Sequence, residues 1–164
     1  GATTESQASW ETFTTSKTVT LPAGDGLKTV YVKVRDDVYN ESSAVSAQIT
    51  VNTSVPTVTV SAVDVTRISK VAPKNVCNFT FTADCDFVEY KVKVVPATTS
   101  THDAGVTIAT ANGSTNMSAT GTFTADTAIS CSITGADLEK ASSGDGSKII
   151  KVFVKNSAGT WSQA

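Results

Sequence analysis

The sequence predicts an all-β chain of sandwich type in two related copies. Residues 1–52 hold the closing part of one domain, the partial first copy, and residues 53–164 hold a second domain that lacks its last strand. Three observations carry this expectation. Apolar and polar residues alternate over short runs, turn residues punctuate those runs, and one segment returns in recognisable form, without a gap, at an offset of 120 residues, from Gly24 to Gly144.

The recurring segment is Gly24-Asp25-Gly26-Leu27-Lys28 with Thr29 to Arg35, matched by Gly144-Asp145-Gly146-Ser147-Lys148 with Ile149 to Lys155. Val32, Val34 and Ser42 meet identical residues at Val152, Val154 and Ser162. In each copy the pattern predicts a strand. Val30, Val32 and Val34 point inward against Tyr31, Lys33 and Arg35, and Ile150, Val152 and Val154 repeat that inward face. Gly-Asp-Gly supplies the turn before each strand, since glycine enters positive φ without a Cβ clash. Turn-rich stretches follow at residues 36–40 and 156–159.

In the first copy further strands are expected near Thr18 to Leu21 and from Ala44 to Val51. In the second, Thr57 to Val65 opens the domain. Val76 to Thr82 buries Cys77, Phe79 and Phe81, and Phe87 to Val95 buries Val88, Tyr90, Val92 and Val94 against Glu89, Lys91 and Lys93. A polar stretch runs from Pro96 to Gly121, with a short strand at Val106 to Ala109, and Ala128 to Ile133 buries Ile129, Cys131 and Ile133. Thr134-Gly135-Ala136-Asp137 resembles a capping box with Asp in the acidic place, followed by one helical turn through Leu138 to Ala141. Short strands separated by turns predict two sheets sharing an alternating core.

Aligning the copies leaves the first without its opening half, while Ala164 aligns with Ala44, where a final strand starts. The chain, which begins at Gly1 without Met, is therefore expected to belong to a longer array. The sharper expectation is that neighbouring copies form a homo-oligomer by exchanging strands, one chain's Ala44 to Val51 filling the gap after Ala164 in the next.

Composition narrows the function. Charged residues make up 17% of the chain, and Thr and Ser together fill roughly a quarter of it, above ordinary usage and suited to pleated surfaces. A net charge of −2 offers no basic face for nucleic acid. The sequence has no apolar run of membrane-spanning length and no signal-peptide pattern at its start. Cys77, Cys85 and Cys131 lack CxxC spacing, which argues for free thiols, with one bridge left open by the count.

Trp10-Glu11-Thr12-Phe13 and the run from Leu21 to Asp36 resemble the closing half of bacterial immunoglobulin-like repeats, which occur in secreted surface proteins and phage structural proteins. The family's usual Ala-Gly-Asn turn is replaced by Asp37-Val38-Tyr39-Asn40 in the first copy and approached by Ser157-Ala158-Gly159-Thr160 in the second. The resemblance implies immunoglobulin-like sandwiches, an extracellular location on a virion or bacterial cell surface, and a role as spacer or display module. Its partners would be neighbouring repeats, virion or cell-surface proteins, or surface glycans. It carries no ligand residues.

No catalytic residue is assigned. The single histidine, His102, lies beside Asp103 in a polar stretch, and Cys85 stands between Asp84 and Asp86, whose carboxylates oppose thiolate formation. The chain is expected not to be an enzyme. Asp36, Asp37 and Asn40 form a weak calcium candidate, the one cofactor considered, because Asp and Asn in a turn offer hard oxygen ligands. Tyr31, Tyr39, Phe87, Phe153 and Trp161 fall on predicted outward faces or turns. Of these, Trp161, Tyr39, Tyr31 and Phe153 are the carbohydrate-contact candidates, since exposed rings stack on sugars. The alternative function is an accessory carbohydrate-binding module of a secreted glycan-degrading enzyme.

Overall fold

The structure is a computed structural model that describes residues 8–163. It is all-β apart from one short helix, and divides between Ser54 and Val55 into two units. No helix among the described residues is long and apolar enough to cross a membrane.

The first unit contains one antiparallel pair, β1 (Gly26–Val32) and β2 (Val45–Val51), in register from Gly26 opposite Val51 to Val32 opposite Val45. The alternation predicted here is present, but its burial is not. Val32 is 53% exposed, and Val34, Val45 and Ile49 are exposed as well. Two strands twist into a ribbon that has no second layer among the described residues to cover its apolar face, so the valines stay in water. The strand also ends at Val32 rather than Arg35. Beyond it the ladder gives way to single links, between Val34 and Ser42 and between Arg35 and Glu41. The strand expected near Thr18 to Leu21 is irregular chain without a ladder partner.

The second unit begins with β3 (Val58–Val60), shorter than the predicted run to Val65. After Val60, Ser61 N and Asp64 N still donate to Thr80 O at 2.8 Å and Asn78 O at 3.0 Å, but polar side chains take the return bonds. Ser61 Oγ accepts from Thr80 N at 2.7 Å, and Asp64 takes Asn78 N and Nδ2, both at 2.7 Å. The central strand of this sheet is β4 (Val76–Ala83), which pairs β3 on one side and β8 (Ile129–Thr134) on the other. A second sheet is centred on β5 (Phe87–Val95), with β9 (Ile149–Asn156) along one edge. On the other edge lie β6 (Val106–Thr107) and β7 (Ser118–Phe123), one after the other.

Both sheets of this unit feed one hydrophobic core. Phe79, Phe81, Cys131 and Ile133 from the first meet Phe87, Tyr90, Val92, Val94, Val152 and Val154 from the second, with Ile108 and Met117 from the connecting loops. The predicted inward faces of β4, β8 and β9 are thereby observed. β5 departs at two points: Lys93 on its outward face is buried, and a bulge between Phe87 and Glu89 shifts its register against both β7 and β9. One extra residue turns the strand, so Val88 is only half-buried and Phe87, expected outward, joins Tyr90 on the core side.

α1 (Gly135–Ala141) is two turns long, one more than predicted, and starts as the capping box suggests: Asp137 N donates to the side chain of Thr134 at 3.2 Å. Gly135 is required by a close approach, since a Cβ there would lie 2.0 Å from the carbonyl oxygen of Ser69.

The segments that recur in the sequence also recur bond for bond. Ser42 N donates to Val34 O at 2.9 Å and Ser162 N to Val154 O at 2.8 Å, while Val34 N and Val154 N return bonds to the two serine hydroxyls. Asp36 N donates to Asn40 O as Asn156 N does to Thr160 O. Asn40 N reaches Asp36 Oδ1 at 2.8 Å, and Thr160 N reaches Asn156 Oδ1 at 2.9 Å. At the tip of each turn φ is positive, 71° at Tyr39 and 89° at Gly159, a conformation that costs tyrosine strain and glycine none. The burial of the two segments differs: Val152, counterpart of Val32, is 6% exposed.

Candidate functional site

The outward face of the second unit's β9-β5 pair carries a group of charged and aromatic side chains. Glu89, Lys91 and Lys93 alternate along β5, opposite Lys155, Phe153 and Lys151 of β9. Glu89 joins Lys91 at 2.9 Å and Lys155 at 3.5 Å, and both ammonium groups reach over the indole of Trp161, at 4.7 Å and 5.7 Å from its centre. His102 stacks on the same indole at 4.7 Å with the rings 14° from parallel. Lys91 and Lys155 hold the Glu89 carboxyl below its usual range, the hydrogen bond from Lys91 outweighing the opposing effect of burial.

Lys93 is buried beneath this group, and its Nζ donates to His102 O at 2.6 Å. Burial, and then the neighbouring Lys91, lower its pKa. Phe153 is fully buried (0% exposed), so the outward and accessible placement expected for it is corrected. It does face away from Val152 and Val154, as strand alternation requires, yet it has no exposed surface on the side that alternation assigns to solvent. Trp161 is half-buried, and three side chains of its own chain engage its ring.

In the first unit the Arg35 guanidinium lies 4.5 Å from the ring centre of Trp10 and 4.7 Å from that of Tyr39, so one cation joins two aromatics. Tyr39 is 72% exposed and Tyr31 68%, the most open aromatic rings among the sugar-contact candidates. Tyr31 stands with Leu27 and Thr29 on the face opposite Val30 and Val32. The two tyrosines thus lie in one unit and Trp161 in the other.

The calcium candidates have another occupation. Asp36 Oδ1 accepts from Val38 N and Asn40 N, and Oδ2 accepts from Asn40 Nδ2 at 2.9 Å. These bonds, chiefly those from Asn40, lower its pKa and use its oxygens to shape the turn, as Asn156 does in the second unit without a charge. Asp37 is exposed beside it. Among the described residues no group of three His, Cys, Asp or Glu side chains gathers as metal ligands do.

His102 Nε2 lies 3.2 Å from Asp103 Oδ1, but its ring faces Trp161. All three cysteines are free. Burial raises the thiol pKa of Cys77 and Cys85, helped by Asp64 and by Asp84 respectively, and pushes Cys131 up to about 12. The clefts are shallow and open, one between β4 and β8 beside Thr115, another along β5 and β7.

The Trp161 cluster was only partly legible in the sequence. Alternation placed the lysines outward, but nothing local in residues 96–105 signals that His102 folds back onto residue 161. No family model, curated protein or solved structure matches the chain.

Proposed function

We propose that this chain is a non-enzymatic structural and adhesive display module of a virion or bacterial cell-surface protein, extracellular and built from immunoglobulin-like sandwich copies. The observation that carries the reading is strand order. An immunoglobulin-like sandwich sets its first, second, fourth and fifth strands in one sheet and its third, sixth and seventh in the other, where the variable type adds two more beside the third. The fourth has no counterpart among the described strands of this unit. In the second unit β3, β4 and β8 share one sheet and β5 and β9 share the other, with β6 and β7 on the far edge of β5. The matched turns at Asp36–Asn40 and Asn156–Thr160 support a second copy, represented in the first unit by its last two strands. Such a module acts by rigid presentation and by weak contacts multiplied over many copies.

The second reading, an accessory carbohydrate-binding module of a secreted glycan-degrading enzyme, draws on the openness of Tyr31 and Tyr39. One experiment separates the two. Beads coated densely with the protein are expected to be retained on bacterial envelope preparations, whereas the free protein binds them at least about a hundredfold more weakly. Tight binding of the free protein to one purified polysaccharide, lost in Tyr39→Ala, favours the second reading. Absence of retention at any coating density contradicts the first reading, and absence of binding to any polysaccharide contradicts the second.

A further inference from the structure

Asn112 is the one asparagine of the chain that precedes a glycine, and each of the others precedes a residue that carries a Cβ. The pair sits in an exposed turn between β6 and β7, where Gly113 has a φ of 96° and its N donates to Thr110 O at 3.2 Å. A second observation lies behind the turn. Asp137 fixes the side-chain amide of Asn112 from inside the domain: its Oδ1 accepts from Asn112 Nδ2 at 2.9 Å and from Asn112 N at 3.0 Å. Asp137 is fully buried while Asn112 is exposed, so water reaches the amide but not the carboxylate that holds it.

We infer that Asn112 is a site of spontaneous deamidation restrained by Asp137, and that its conversion is a one-way loosening of the turn between β6 and β7, whatever the module displays. The reaction needs only water. The nitrogen of Gly113 loses its proton to solvent base and bonds to Cγ of Asn112. The Cγ–Nδ2 bond breaks, and Nδ2 takes a proton from water and leaves as ammonia. The cyclic imide then adds water at one of its two carbonyls, which gives aspartate with the chain as before or isoaspartate with the chain routed through the side chain. Glycine favours the first step, since no Cβ hinders the approach of its nitrogen. The fold opposes it. Gly113 N is engaged with Thr110 O and Asn112 Nδ2 with Asp137, so both groups must leave their bonds before they meet. Negative charge that develops on Asn112 Oδ1 during the attack also arises beside a buried carboxylate, and like charges with little water between them repel. The same pairing penalises the product. Aspartate at position 112 lacks the Nδ2 donor and sets a second carboxylate against Asp137. Ser114, which follows in the turn, is buried and donates to Asp137 at 3.1 Å, and Thr115 bridges to Ser132 of β8, so disturbance of the turn reaches the sheet of β4.

The test follows residue 112 by mass spectrometry of its proteolytic peptide during incubation at mildly alkaline pH. Folded protein is expected to convert at least about tenfold more slowly than the same protein held in urea, because the turn must open first. Asp137→Asn keeps an oxygen acceptor but not the charge. In the folded state it is expected to convert at least about fivefold faster than Val154→Ala, a core variant of lowered stability that leaves the Asp137 bonds in place. The product is tested by comparing Asn112→Asp with Asn112→Ala. Both lose the Nδ2 bond and only one adds a charge, so the aspartate variant is expected to show the lower urea midpoint at neutral pH. Equal conversion of folded and unfolded protein, no acceleration in Asp137→Asn beyond the core variant, or Asn112→Asp as stable as Asn112→Ala overturns the inference.

Discussion

Val152→Asp is expected to unfold the second unit, while Val32→Asp, at the matching position of the other ribbon, leaves that unit's stability within about 0.5 kcal/mol of the parent. Val152 packs in the core formed by the two sheets, opposite Val92 of β5, which is itself fully buried. A carboxylate there has neither water nor a cationic partner, and the cost exceeds about 4 kcal/mol, a large share of the stability of a domain this size. Val32 has the same sequence surroundings but is 53% exposed, so its substitution exchanges one solvated side chain for another. Urea denaturation of the two variants beside the parent measures both. Equal destabilisation would mean that the ribbons are equally buried.

Asp137→Ala is expected to cost about 2–4 kcal/mol. The carboxylate is fully buried, and accepts from Asn112 N at 3.0 Å, Asn112 Nδ2 at 2.9 Å, Ser114 N at 3.1 Å and Thr134 Oγ1 at 3.0 Å. It fastens the loop after β6 to the first turn of α1. Alanine leaves those donors without their acceptor, two of them on buried residues, Ser114 and Thr134. Burial pushes the Asp137 pKa up, but the bonds from Asn112, Ser114 and Thr134 outweigh it and hold the carboxyl well below the usual range. The sign of the pH dependence follows. The folded-state value is depressed, so this contribution is fully present above the unfolded value of about 4 and is lost as pH falls below it toward the folded value. The stability gap between the parent and Asp137→Asn should therefore narrow as pH falls from 5 toward 2. Thermal denaturation across that range checks it, and a gap independent of pH would contradict it.

Much of the second unit was legible because its strands are half-buried and alternate. Cys77, Phe79 and Phe81 announce β4, and Ile150, Val152 and Val154 announce the inner face of β9. The N-cap at Thr134 was equally local, but the other half of the capping box is not formed: Thr134 N donates to Ser114 Oγ, and Asp137 gathers donors from a loop more than twenty residues earlier in the chain. What stayed hidden depends on distant partners. β7 reads Ser-Ala-Thr-Gly-Thr-Phe, with one large apolar residue, and is a strand because the edge of β5 accepts it. Phe87 turns inward through a bulge that periodicity does not show, and Phe153 is covered on the face that alternation assigns to solvent. The first unit makes the converse case. Its valines alternate as an inward face does, yet burial requires a second layer that two strands do not supply. Of the residues singled out for sugar contact, Tyr31 and Tyr39 are open, Trp161 is engaged by His102, Lys91 and Lys155, and Phe153 is inaccessible.

The central claim is that two ribbons of like sequence and like hydrogen bonding differ in what covers them. Native-state hydrogen exchange measures this directly, at concentrations low enough to keep copies apart. The amides of Ile149–Asn156 that bond to β5 are expected to exchange only with global unfolding, and those of Gly26–Val32 that bond to β2 at least about a hundredfold faster, by local opening. Equal protection of the two ribbons, or unprotected amides along β9, would contradict the account.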